Sequence, residues 1–411
     1  MIVLRVCPLL VACVVVGTVL AGGTAAAATF DCGSNGSDGA LVFVNPAVRT
    51  TVLFDPSDTT MVGRVLDADH DAVYHFTEIH IPANVTLRLR ADKAGWSPMY
   101  WLSQGDVLIE GAVDLSGEPG GAASDTKPMQ PSIPGPGGYP GAWGASSALG
   151  ISGQNGFGPG ADGYGGKHPG NYFLQPLTGG SGAGSSGFSS YGGGGAGGGA
   201  LLLASNSSVI ISGTFRADGG IGGIDSSTAN RGGTGGAGGA IRILAPTASG
   251  AGTISLLGGL ALYPSHTYDG EAGWLRIESN NFTFTGTINT TRTRVVTLVP
   301  SATRILPPAS LLPAARVIRV NGIDVPLSPT GSFEVPDLVL NTDQPVVFEL
   351  QASQIPLGTK FNIMLWNETT QVTTLQTSGL AGTLAASTGT VSAVVPNGLS
   401  RGFVYGTWTN P

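Results

Sequence analysis

From about Leu41 onward, apolar residues recur at every second position in short runs separated by clusters of Gly, Asn, Asp and Pro. Side chains alternate between the two faces of a strand, whereas the 3.6-residue spacing of an amphipathic helix is nearly missing. The pattern predicts an all-β chain. Early strands are expected over 41–44, 51–54 and 73–81, followed by a turn at 82–84. Residues 29–98 thus read as an N-terminal β cap together with the first coils of a repeat.

Four stretches can be written under one another: 99–117, 201–219, 241–258 and 273–289. Each reads as strand, polar turn, strand, glycine, strand. A unit of roughly 20 residues cannot bury its apolar face alone, so stacking of neighbours into a right-handed parallel β-helix over 99–298 is expected. Alternation points Val107, Ile109, Val113 and Leu115 inward, and Leu108, Glu110 and Asp114 outward. Trp101 aligns with Leu203 and is assigned to the core.

Glycine changes this picture. The chain holds 66 Gly in 411 residues, with 29 of the 83 residues over 117–199 and 10 of the 21 over 219–239. Such segments have little apolar surface to offset ordering entropy, so they are expected as long loops leaving one side of the solenoid. A Pro/Leu/Ala-rich linker is expected over 299–315. Short apolar runs with turns at Asn321-Gly322 and Asn397-Gly398 then predict an immunoglobulin-like β-sandwich over 316–411.

The N-terminus carries Arg5, an apolar run over 8–20 and an Ala-rich site, the pattern of a cleavable signal peptide over 1–28. A lipoprotein box ending at Cys13 would leave 14–20 as exposed hydrophobic chain, so cleavage after Ala28 is preferred. No membrane span is expected once the signal is removed. Only Cys32 of the three cysteines would remain, read as idle in a flexible N-terminal tail. The expected location is secreted or at the cell surface.

Two motifs carry a likeness, Pro134-Gly-Pro-Gly-Gly-Tyr-Pro-Gly141 and Gly238-Gly-Ala-Ile-Arg-Ile-Leu-Ala-Pro246, together with the runs 73–89 and 101–117. These resemble a group of glycine-rich exported bacterial proteins of unassigned function with a β-helix-like body and an immunoglobulin-like tail. The likeness covers 73–288, with similar stretches at 351–359 and 400–403. It implies a bacterial envelope or extracellular setting and supplies no catalytic residues.

Charge narrows the partners. With 26 Asp+Glu against 19 Lys+Arg and a net charge of −7, there is no basic surface for a phosphate backbone, so nucleic acid is not expected. The polar cluster Asp67, Asp69, His70, Asp71 lacks the spacing of a calcium-binding hand and reads as a solvated turn. His75 and His80, five apart, are expected on opposite faces of one strand. Neither metal nor cofactor is expected. No nucleophile elbow or zinc-protease motif occurs. Glu110 and Asp114 are the acids that a polysaccharide lyase or hydrolase on this solenoid would use, with Asp106 on the same side.

Aromatics are the other lead. Tyr139, Trp143, Tyr164, Tyr172 and Tyr191 lie in glycine-rich stretches, where a ring either contacts a ligand or pins the loop. The expectation is a non-catalytic surface or adhesion protein that binds polysaccharide or a cell-surface glycan. A β-helix lyase or glycoside hydrolase is the alternative.

Overall fold

The computed structural model describes residues 30–122, 130–145, 153–161, 163–185, 192–224, 232–262, 268–298, 313–327, 329, 335–367 and 373–406. The signal segment, most of the expected linker and Tyr191 lie outside the described residues.

The chain opens with β1 (Gly39–Val42), β2 (Thr50–Leu53), the one-turn α1 (Thr59–Val62), β3 (Val73–Ile81), β4 (Val85–Arg88) and the one-turn α2 (Ala91–Ala94). Four three-stranded coils come next: β5–β7 (Met99–Ser103, Val107–Ile109, Ala112–Asp114), β8–β10 (Ala200–Ser205, Ser208–Ile211, Thr214–Arg216), β11–β13 (Ala240–Leu244, Thr247–Gly250, Thr253–Ser255) and β14–β16 (Trp274–Glu278, Asn281–Phe284, Thr287–Asn289). One further strand, β17 (Thr293–Val296), closes the stack. Like strands of successive coils pair in parallel, giving strongly curled sheets of a β-solenoid-like body. The first wall runs β3-β5-β8-β11-β14-β17, the second β3-β6-β9-β12-β15, and the third β2-β4-β7-β10-β13-β16.

The expected alignment of Trp101 with Leu203 holds. Trp101 lies opposite Leu203, which lies opposite Ile243 and then Ile277. Val113, Phe215, Ile254 and Ile288 form the equivalent row on the third wall. Side chains from all three walls meet in one core, where each buried aliphatic contributes roughly 1.5–3 kcal/mol. At the N-terminal end Phe54, Tyr74, Phe76 and Trp101 pack ring against ring with centroids 5.4–5.9 Å apart.

The structure corrects expectations at β3 and at Cys32. β3 belongs to two walls: its first half pairs with β5 and its second with β6. The corner at the exposed Thr77 and Glu78 interrupts the alternation, since Tyr74, Phe76, Ile79 and Ile81 all point inward. His75 and His80 therefore both face outward. Cys32, expected in a flexible tail, is instead 3 % exposed and packs on the outer side of the first wall with Leu102, Leu202 and Leu177. Its thiol donates to the Ser103 carbonyl at 3.2 Å, and burial raises its pKa.

The glycine-rich segments leave the solenoid after the third wall and return before the first, but they are not isolated loops. Along 233–239 the backbone N–H groups donate in strict rotation to three neighbours. Gly233, Gly236 and Gly239 bond Gly223, Gly220 and Ala217; Thr234 and Ala237 bond Gly184 and Ser181; Gly235 and Gly238 bond Tyr268 and Glu271. The carbonyls of the same stretch accept from three others, with Gly259 and Leu262, Gly195 and Gly198, and Gly166 as donors. A three-residue rotation of partners is the symmetry of the polyproline-II helix, which has no internal hydrogen bonds and offers every amide sideways. Segment 232–239 is thus ringed by six others in a bundle of extended helices. Helices can approach this closely only through glycine: a Cβ on Gly197 would lie 1.8 Å from the Gly180 carbonyl oxygen.

The tail comprises β18 (Ala314–Val320), β19 (Ile323–Asp324), β20 (Val346–Ser353), β21 (Phe361–Asn367), β22 (Thr373–Gln376), β23 (Ala381–Gly382), β24 (Ser387–Ala393) and β25 (Ser400–Gly406). Its strands pair antiparallel in two sheets, β19-β18-β20-β24-β23 and β22-β21-β25. Val320, Val346 and Phe348 of one sheet share a core with Ile363 and Leu365 of the other. Asn321 and Gly322, both at positive φ, make the tight β18–β19 turn.

Candidate functional site

The third wall carries a row of polar side chains on its outer face. In register across β4, β7, β10, β13 and β16 these are Arg88, Asp114, Arg216, Ser255 and Asn289, one per strand at the roughly 4.8 Å spacing of a sheet. Arg88 donates to one oxygen of Asp114 at 3.1 Å, and Arg216 to the other at 2.8 Å. Asp114 faces outward as expected, yet it is only 7 % exposed in its side chain because the two guanidiniums cover it. Burial alone would raise its pKa; Arg88 and Arg216 reverse this and hold the carboxyl below the usual range.

Two residues beyond Arg216 the chain enters the bundle at Asp218. One of its oxygens accepts from the Ser255 hydroxyl at 2.6 Å and from the Leu257 N–H at 2.7 Å. Burial pushes this carboxyl up, the opposite direction from Asp114. Arg88, Asp114, Arg216 and Asp218 line a groove of about 360 Å³ at the foot of the bundle, with Pro119 and Ile221 at its rim.

The apolar rim continues along the bundle. Segments 117–122, 217–224 and 256–262 run parallel, tied by Gly117 to Asp218, Gly120 to Ile221, Gly219 to Leu257 and Gly222 to Leu260. Their glycines face neighbouring helices, so every third residue is left to point outward. Ile221, Ile224, Leu257 and Leu260 are 42–57 % exposed, and Pro119 and Ala122 are exposed beside them. A rigid backbone lattice thus displays an ordered apolar strip continuous with the groove.

The structure separates the acids that the sequence suggested as a set. Glu110 sits at the corner between β6 and β7, half exposed and bonded to His80 at 2.9 Å. Asp106 accepts from the Ser207 and Ser208 hydroxyls at the corner before β6. Asp114 stands on a different wall with its own partners, so the three do not share one face. Trp143 is packed inside the bundle against Phe157 rather than displayed, and Tyr139 is half-buried beneath Gly158. Tyr164 is 53 % exposed and stacks on Tyr268 with centroids 4.9 Å apart. Tyr172 is also exposed, against Phe173 at 4.0 Å and under Arg294. Arg216, Asp218 and Ile221 were not singled out from sequence. The signal was there, in the triplets Asp218-Gly-Gly-Ile221-Gly-Gly-Ile224, whose three-residue period marks one face of an extended helix.

Elsewhere, carboxylate oxygens of Asp67, Asp69 and Asp71 lie within 4.8 Å of one another. Asp67 already accepts the Asp71 and Ala72 N–H groups, and burial pushes its carboxyl up to about 7. These are the described residues that would hold a hard cation. No helix among the described residues is long and apolar enough to cross a membrane. Comparison of the chain with protein-family models, curated proteins and solved structures returned no match.

Proposed function

We propose that the protein is an exported, non-catalytic surface or extracellular protein that binds glycan through the outer side of its solenoid and glycine bundle. The observation that carries this reading is the closure of Asp114. Both of its oxygens are held by arginines, and Glu110 is engaged by His80 on another wall, so neither acid is free in a shared groove to move a proton. A rigid strip of apolar side chains beside a polar groove suits recognition of sugar rings, which present apolar faces edged by hydroxyls. Export rests on the N-terminal signal pattern, and the bacterial envelope setting on the resemblance carried by 73–288. Within the same reading the solenoid is right-handed, the hand favoured for parallel crossover connections, and the tail is an immunoglobulin-like sandwich that spaces or anchors the body.

The second reading is a polysaccharide lyase or hydrolase. One observation favours it: Asp218 and Asp114, on adjacent coils, are pushed in opposite directions, the pattern that divides acid from base. A single experiment separates the two. The chain is incubated with insoluble and acidic polysaccharides, and both protein depletion and release of new chain ends are recorded. Depletion without new ends is the expected result. New ends that disappear in Asp218→Asn would replace the binding reading with the enzyme.

A further inference from the structure

We propose that the groove floored by Arg88, Asp114, Arg216 and Asp218 and rimmed by Pro119 and Ile221 is a binding site for a neutral, hydroxyl-rich glycan. This rests on the glycan-binding reading above and assigns it a place and a ligand class.

The argument starts from charge. Two guanidiniums and two carboxylates line the floor, so its formal charge is zero, and Glu118 nearby is paired to Arg90. A polyanion approaching the guanidiniums meets two carboxylates, and a polycation meets two guanidiniums. Neither gains net Coulombic attraction. A hydroxyl both donates and accepts, and the floor offers both functions side by side. Arg216 spends one N–H on Asp114 and is 45 % exposed in its side chain, which leaves the rest of its five-donor fork facing the groove. Asp218 uses one oxygen for Ser255 and Leu257, which leaves the second as an acceptor.

Shape and rigidity point the same way. A volume of about 360 Å³ lies at the lower end of the range for small-ligand sites, ~300–1,000 Å³. Ile221 stands at the rim on a backbone held by bonds to segments 117–122 and 192–199, so its exposed side chain is a fixed apolar step. A pyranose ring laid in the groove would place its C–H face on Ile221 and Pro119 and its edge hydroxyls on Arg216 and Asp218. The floor is built before the ligand arrives, since Arg88, Asp114 and Arg216 already hold one another in place. That lowers the ordering cost of binding.

The test is retention of the full chain on insoluble cellulose, chitin and xylan, and on the acidic polymers polygalacturonate and alginate, with Arg216→Ala, Ile221→Ser and Tyr164→Ala beside the parent. Thermal melts check that each variant is folded. Retention on at least one neutral polymer is expected, weakened about tenfold by Arg216→Ala, the size of one lost charged hydrogen bond, weakened about tenfold by Ile221→Ser, the size of one lost apolar contact, and unchanged by Tyr164→Ala. If Arg216→Ala fails to fold, Ile221→Ser carries the test, because it alters only a rim side chain. Undiminished retention of folded variants would place the glycan elsewhere and overturn the groove while leaving glycan binding intact. Retention only on the acidic polymers, lost in Arg216→Ala, would overturn the ligand class. A parent chain that binds none of the five would overturn both the site and the reading beneath it.

Discussion

At Gly236 an added Cβ would lie 2.1 Å from the carbonyl oxygen of Ala196, on backbone that cannot swing aside as a side chain would. Gly236→Ala must therefore push two helices of the bundle apart. The expected cost is at least about 1–3 kcal/mol, as for other overpacked interiors. Ala237→Gly, one position on, removes only a methyl group and should cost less. Denaturant unfolding of the two variants measures the difference, and equal midpoints would contradict the packing. A second residue-scale prediction concerns Asp67, whose pKa is raised by burial to about 7 from 3.8. A carboxyl raised in the folded state favours folding while it is protonated. Its contribution is complete below pH ~4 and is lost as pH rises through 7. The stability of the parent relative to Asp67→Asn should therefore fall between pH 4 and 7, read from melts at each pH. A difference that is flat with pH would mean Asp67 stays ionised throughout.

At the scale of the element, strands and glycine helices were legible to very different degrees. The coil strands, the Trp101–Leu203 register and the short apolar runs of the tail, which become β18, β20 and β25, are legible because alternation is a local property of each run. The glycine segments carry little apolar surface, and by that signal alone they look like loops. What holds them is the backbone itself: amides of 233–239 find partners in successive neighbours, so ordering is compensated by buried hydrogen bonds rather than by side chains. Hydrogen exchange measures the consequence. Amides of 232–239 should exchange as slowly as those of β11, although they belong to no sheet, whereas a loop would exchange at once. Fast exchange across 232–239 would remove the bundle.

At the scale of the whole molecule, the solenoid and the bundle are one stack. The coils β5–β7, β8–β10 and β11–β13 each leave the third wall for the bundle and re-enter the first wall one strand further along, whereas β16 passes to β17 within three residues. The groove lies where the third wall meets the bundle, and Asp218 belongs to the bundle segment while its neighbour Arg216 belongs to β10. By itself the sequence determined the all-β class and the stacking of similar coils, because the first depends on alternation within short runs and the second on the recurrence of those runs along the chain. Tertiary structure alone decided which outward acids meet, that Cys32 is buried, and that glycine segments order one another. Those outcomes depend on groups far apart in the chain, such as Asp114 with Arg216 and Gly235 with Gly166, which only the stacking of coils brings within hydrogen-bonding distance.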